Sequence, residues 1–564
     1  MNFSSLAPRA VRVAVVTATA VALVSSAAPA PTQAQAPSAT LSPSASGLTL
    51  DGGHLTVSQM KAVLRGVSGP LRLAPAAAVR MRQARAGALA ALNSGQRVYG
   101  WNQALGPLKD HTLTDEQQRD FQRRILRSHA AGTGSELPEG VARLALVLRA
   151  NAMARAHMGV RPEMVERMLA LVNAGVTPVM PSIGSLGTGD LQPMAAAGLV
   201  LTGDAGQARF RGGPPRDTRD VLAQAGLPPT FELQAGEALP LISGSGVLTA
   251  RYTASVSRAE TFLDEFDGAF GLFLEATRAE ASSLDARTHA ERRFPAEEAE
   301  AARLRALTRG SAWMTDQGRK QFGETSPRIQ DAVSVRAAPH IIATARQTLT
   351  EAETIIGHEA NASTSNPLLF KQPAGTYEFV MGGNWDGAQI GHAMDTLNAD
   401  ITAVAVLGDE LSSRLISSKW SYGLPDNLAA PPVGLNSGMV QVQTVGAALI
   451  PEMQVRAMPA DVLSRPEKFG QEDDNTMAMA SARNLDDNLD RAETVLAVEF
   501  LLADQGVDLA RPLMGTLPMA KATTELHQRF RDHVAALGDD RWMTPDVETA
   551  TDLVSHGELR PNDS

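Results

Sequence analysis

A chain of 564 residues, 44% of them apolar and 20% charged, can bury a sizeable core, which excludes global disorder. Its net charge of −10, from 51 Lys+Arg against 61 Asp+Glu, argues against nucleic acid as the main partner, because phosphate binding is built on a basic surface. The absence of cysteine removes thiolate nucleophiles, Cys-ligated zinc, iron–sulfur clusters and disulfides together.

Arg9 and Arg12, the apolar run Val13 to Val24 and the small residues after it have the parts of a secretory signal, followed by a linker to about residue 36. Ser25-Ser26-Ala27 and Ala34-Gln35-Ala36 are candidate cleavage sites, and a disordered Ala-rich tail is the alternative. The apolar run is shorter than the roughly 20 residues that span a bilayer. An exported mature protein without a membrane anchor is the expectation, with a cytoplasmic one as the alternative.

From Gly47 onward the pattern is helical. Apolar positions recur every three or four residues over 72–93, 113–131, 139–174, 250–285, 335–358, 387–415 and 476–503. Pro and Gly punctuate between them, at Gly132-Thr133-Gly134, Pro178 to Pro193, Gly212 to Pro215 and Leu424 to Gly438. Few segments alternate as strands do. The spacing predicts an all-α-dominated protein: a loop-rich catalytic region over 37–250, then a long helix bundle and C-terminal helices over 251–564. Helices this long need partners along their length, which favours an oligomeric bundle.

The eleven histidines are scattered and no metal motif is found, so no metal is expected. Gly132-Thr133-Gly134 lacks the preceding strand of a dinucleotide site and reads as a plain turn. The run Ser182 to Asp190 lacks the Lys of a phosphate loop, yet it is denser in Gly than an ordinary loop.

Gly184-Ser185-Leu186-Gly187-Thr188-Gly189-Asp190-Leu191-Gln192-Pro193 resembles the signature of the aromatic amino acid ammonia-lyases, the histidine and phenylalanine ammonia-lyase family. Further blocks follow in that family's order: Arg97-Val98-Tyr99-Gly100, Ser128 to Gly132, Gln330-Asp331 with Ser334 and Arg336, and Glu359-x-Asn361 with Asn366-Pro367-Leu368. Gly382-Gly383-Asn384-Trp385, Ser421 to Pro425 and Gln471-Glu472-Asp473 complete them, so the resemblance covers roughly 47–550. It implies a homotetramer around a central bundle, with each site assembled from three subunits and acting on a small amino acid or betaine.

In that family an Ala-Ser-Gly tripeptide cyclises into an electrophilic methylideneimidazolone. Here the run is one residue shorter and the tripeptide reads Gly187-Thr188-Gly189. Dehydrating threonine would leave a methyl group on the carbon that must be attacked, so formation of the group is open to question and no cofactor is expected. Ser243 replaces the family's asparagine, and Val333 its second catalytic tyrosine.

The resemblance implies roles for what remains. Tyr99 is a candidate general base, and Arg336 offers a planar fork for a substrate carboxylate. Glu472 and Lys419 could meet the far end of the substrate; His129, Ser243, Asn361 and Asn384 could position it. Trp385 and Trp101 could hold a quaternary ammonium on their faces, or could simply be core. A trimethylammonium group leaves as a neutral amine without electrophilic help. The electrophile-free ergothionases of this family expel trimethylamine from ergothioneine in that way. Three readings follow: a lyase for the betaine of a histidine-like amino acid, a conventional ammonia-lyase or aminomutase with a variant prosthetic group, and a non-catalytic secreted binding protein on the same scaffold.

Overall fold

Helices dominate the computed structural model, which describes residues 47–324 and 328–562; the expected signal and linker at 1–36 lie outside them. The helices that build the bundle and the site are, in chain order, α1 (Pro75–Asn93), α2 (Asp115–His129), α3 (Glu139–Ala154), α4 (Pro162–Ala174), α5 (Leu191–Thr202) and α6 (Gly246–Ala276). They continue with α7 (Ala286–Arg292), α8 (Pro295–Leu307), α9 (Ala338–Ala360), α10 (Ala388–Leu415), α11 (Val440–Arg456), α12 (Ala478–Met514) and α13 (Lys521–Arg531).

α12 is the axis. Its 37 residues extend about 55 Å at the α-helical rise. Every residue from Val495 to Val507 is buried, as is every one from Glu265 to Ala276 in α6. A helix apolar on one stripe needs one neighbour, and a helix buried all round needs several. α10 packs along α12, α12 along α6, and α9 along α10, while α3 brings the amino-terminal half against α6. The boundary expected at 250/251 therefore falls inside α6.

The helical pattern over 139–174 is interrupted, because α3 ends at Ala154 and α4 starts at Pro162. Ala156 and Gly159 both take positive φ between them, and Pro162 supplies a fixed φ for a new first turn. Strands are short. β1 (Leu48–Leu50) pairs in parallel with β2 (Leu71–Leu73). Of β3 (Thr133–Glu136), β4 (Val176–Pro178) and β5 (Pro181–Ile183), the first and last pair antiparallel. β4 joins β6 (Gln207–Phe210), which also carries β7 (Arg216–Asp217). β8 (Leu368–Lys371) and β9 (Tyr377–Val380) form a hairpin with Leu368 opposite Val380. Gly132-Thr133-Gly134 is thus no plain turn: two of its residues lead β3, whose pairing carries the chain to the Gly-rich loop that follows β5.

Candidate active site

The loop from Gly184 to Asp190 is clamped from two sides. Gly387, at the entrance to α10, donates its N–H to the Gly187 carbonyl at 3.0 Å. On the other side Gly187 lies against the start of α12, with φ of +96°, and a Cβ there would stand 2.7 Å from the Ala478 Cβ. Only glycine fits both that φ and that approach. The Thr188 hydroxyl donates to the Asn475 side-chain oxygen at 2.6 Å, and Asn475 Nδ2 is itself tied to the Arg465 carbonyl at 2.7 Å.

Asp190 ends the loop. Its Oδ2 accepts the Val247 and Leu248 N–H groups at 2.7 and 3.1 Å, so the carboxylate caps the first turn of α6. Burial pushes its pKa up to about 7 against the pull of those two N–H groups and of Arg149. Arg149 is wholly enclosed, donates to the Pro240 and Thr364 carbonyls at 2.5 Å each, and is lowered to about 9 by burial.

Above this support lies a cavity of about 880 Å³ whose wall includes Tyr99, His129, Thr188, Ser243, Trp385 and Glu472. Its charged lining is mostly basic: Arg97, Lys109, Arg124 and Lys468 stand against Asp110 and Glu472. That balance favours an anionic substrate group. The Tyr99 hydroxyl accepts the Gly106 N–H at 2.8 Å. Burial raises its pKa; the Gly106 bond and Lys468 oppose that effect and Glu472 adds to it. His129 Nδ1 lies 2.9 Å from the Ile125 carbonyl, which can only accept, so the ring carries its proton on Nδ1. Burial lowers its pKa and keeps the ring neutral. Glu472 is raised by burial, although Lys468 Nζ pairs with it at 2.6 Å.

Other expected site residues stand elsewhere. Trp101 is wholly buried, its ring 4.9 Å from Phe379 and beside the Arg85 guanidinium, so it belongs to the core and not to the cavity wall. Asn361 is committed to structure: its Oδ1 accepts the Leu55 N–H at 2.9 Å, and its Nδ2 donates to the Leu55 and Gly357 carbonyls at 2.8 and 2.9 Å. Asn384 is exposed and outside the cavity, although its neighbour Trp385 lines it. Lys419 is exposed with its ammonium 4.6 Å over the Trp420 ring. Arg336 is exposed too, its Nε donating to the Asp331 carbonyl at 2.8 Å. Neither cation lines the cavity of its own chain.

Lys468 and Asn475 are site residues that the sequence did not single out. Both flank the quoted Gln471-Glu472-Asp473 block, which was the available signal. Lys468 and the fully exposed Phe469 both have left-handed backbone, and this turn carries Lys468 to the cavity.

The loop holds Gly187-Thr188-Gly189 where the family's prosthetic group forms from Ala-Ser-Gly. Cyclisation would expel two oxygens as water, the Gly187 carbonyl and the Thr188 hydroxyl. Here the first accepts the Gly387 N–H and the second binds Asn475.

The family model described as aromatic amino acid lyase matches residues 55–532. A histidine ammonia-lyase from Anaeromyxobacter sp. (strain K) is 36% identical over 519 residues, covering 91% of this chain and 99% of that relative. The crystal structure of histidine ammonia-lyase from Trypanosoma cruzi is similar at a TM-score of 0.80 and 30% identity, covering 91% of this chain and 94% of that one. The ergothioneine-degrading ergothionase from Treponema denticola shares the fold at a TM-score of 0.84 and 20% identity, covering 91% and 99%. The chain belongs to the aromatic amino acid lyase family and is a carbon–nitrogen lyase.

Proposed function

We propose that the chain eliminates trimethylamine from the trimethylammonium betaine of a histidine-like amino acid, ergothioneine or a near analogue, giving an α,β-unsaturated acid without a methylideneimidazolone. The observation that carries this reading is Thr188 at the position that would have to become the electrophilic methylene, where dehydration leaves a methyl group on the carbon to be attacked. A quaternary nitrogen has no lone pair with which to attack an electrophile. It leaves as a neutral amine when its bond to the α-carbon breaks.

The proton on the β-carbon passes to the Tyr99 phenolate oxygen, the C–H pair becomes the new double bond, and the C–N pair departs with the amine. The Gly106 N–H and the Lys468 ammonium stabilise the phenolate, and the substrate's fixed positive charge adds to them. The basic lining attracts the carboxylate, and Trp385 offers its indole to the trimethylammonium group. Glu472 and Lys468 together offer an acceptor and a donor to a polar ring. We further infer a homotetramer, in which Arg336 and Lys419 serve the sites of neighbouring copies. The exposure of Lys419, and of Arg336 in a segment that also exposes Ile329 (95% exposed) and Val333 (67% exposed), supports this. The amino-terminal pattern supports export, which N-terminal sequencing of fractionated native protein tests.

A second reading is favoured by the 36% identity to a histidine ammonia-lyase: release of ammonia from histidine. Purified protein incubated with ergothioneine and, separately, with histidine distinguishes the two. Trimethylamine and a conjugated acid from ergothioneine alone, with intact protein at the mass of the unmodified chain, are expected. Turnover of histidine by protein lighter by two waters would establish the second reading.

A further inference from the structure

Away from the cavity, α7, the first turn of α8 and the first turn of α9 bring together His289, Glu297 and His340. One ligating atom from each lies within 4.8 Å of the others. His289 is 1% exposed, and its Nε2 stands 3.0 Å from the Ser283 carbonyl. A carbonyl only accepts, so the neutral ring keeps its proton on Nε2 and presents a lone pair at Nδ1. That buried Nδ1 has no hydrogen-bond partner. His340 Nδ1 pairs with Glu297 Oε2 at 3.0 Å, outside hydrogen-bond geometry, on a ring that is partly exposed. The two imidazoles lie 5.1 Å apart, inclined at 40°. A buried acceptor without a donor is costly, and the His289 Nδ1 lone pair, close to a second imidazole and a carboxylate, is satisfied by an electrophile that all three share.

We propose that His289, His340 and Glu297 bind one divalent transition-metal ion of the zinc class, with water completing its coordination. Two imidazole nitrogens and one carboxylate oxygen are a donor set that suits such an ion. The Ser283 carbonyl on the distal nitrogen of His289 is the outer contact that fixes a ligating tautomer. Binding draws the three atoms to about 2.0–2.2 Å from the metal. Arg292 competes for the carboxylate, its Nε and Nη2 each 3.1 Å from a Glu297 oxygen. That side chain is 53% exposed and can turn to solvent when the ion enters. The site joins three helices and pins the start of α9 one turn beyond Arg336.

The test uses the full chain without a polyhistidine tag, stripped with chelator, dialysed against zinc chloride and analysed for metal. One zinc per chain is expected, together with a rise in melting temperature on zinc addition. Cobalt(II) in place of zinc should give the intense visible bands of a low-coordinate, nitrogen-ligated ion. Glu297→Gln and His340→Gln, each folded by circular dichroism, should lose the stoichiometric zinc and the thermal shift. Wild-type protein that retains no stoichiometric zinc overturns the proposal, as does unchanged zinc content in both variants. Should neither variant fold, the wild-type cobalt spectrum decides: the weak bands of an octahedral aqua ion overturn it.

Discussion

The Thr188 hydroxyl and the Asn475 side-chain oxygen, 287 residues apart in sequence, meet at 2.6 Å. This contact gives the threonine a structural task that does not require its loss as water, and it ties the Gly-rich loop to the segment that carries Glu472. Thr188→Ala should therefore cost one buried hydrogen bond, about 0.5–1.5 kcal/mol of stability, and leave turnover of a betaine within an order of magnitude. Steady-state kinetics and a melting curve on the same preparation check both halves. Activity lost as completely as in a Tyr99 variant would mean that a group formed from Thr188 takes part.

Tyr99 gives a sign for the pH dependence. Burial holds its pKa above the usual tyrosine value near 10, so the phenolate is a minor species throughout the neutral range. If that phenolate is the base, kcat/KM rises about tenfold per pH unit from pH 7 to 9, because the deprotonated fraction does. Tyr99→Phe should lower the rate by about 10²–10⁴ and abolish the slope. A flat profile over that window in the unaltered enzyme would assign the base to another group.

The helices and the Gly-rich loop were legible because their signals are local. Leu485, Leu489, Ala492 and Leu496 recur along α12 at helical spacing, and the glycines from Gly184 to Gly189 mark backbone that side chains would block. The break between α3 and α4 was marked by Gly159 and Pro162, but continuous apolar periodicity on either side outweighed it. β3 could not be read from Gly132-Thr133-Gly134, because its partner Ile183 lies fifty residues on and pairing decides such short strands. Trp101 shows the opposite limit. Its place two residues after Tyr99 suggested a shared site, whereas the Tyr99 turn sends one ring to the cavity and the other into the core. Lys468 reaches the cavity through a left-handed turn that its residue type does not announce.

Arg336 and Tyr99 provide a test of shared sites. Within one chain Tyr99 lines the cavity and Arg336 does not. Tyr99→Phe and Arg336→Ala should each be nearly inactive alone. When the two variants are co-expressed and assemble at random, roughly a quarter of sites draw both native residues from different copies, and that share of activity should return. No recovery in mixed oligomers, verified by native mass spectrometry, would place both residues in sites made by one chain. Arg336→Lys is the accompanying control: it keeps the charge, loses the fork, and should raise KM for the carboxylate substrate.

Asp190 links the loop to stability. Its carboxyl accepts two N–H groups at the start of α6, and burial raises its pKa to about 7 in the folded state, against an ordinary value of 3.8. Between those two values the folded chain binds more protons at this residue than the unfolded chain does. Its contribution to stability therefore falls as pH rises from about 4 to 7, and stays at its lower level above that. Asp190→Asn keeps an oxygen that can accept both N–H groups and removes the titration, so its melting temperature should vary less with pH across that window than the unaltered protein's. Asp190→Ala strips the cap and leaves the Val247 and Leu248 N–H groups without their acceptor, a change that costs about 0.5–2 kcal/mol as the loss of a helix cap. Calorimetry of the three proteins at pH 5 and pH 8 separates the effects. A pH dependence in Asp190→Asn as steep as in the unaltered chain would show that another buried acid, such as Glu265, carries the titration instead.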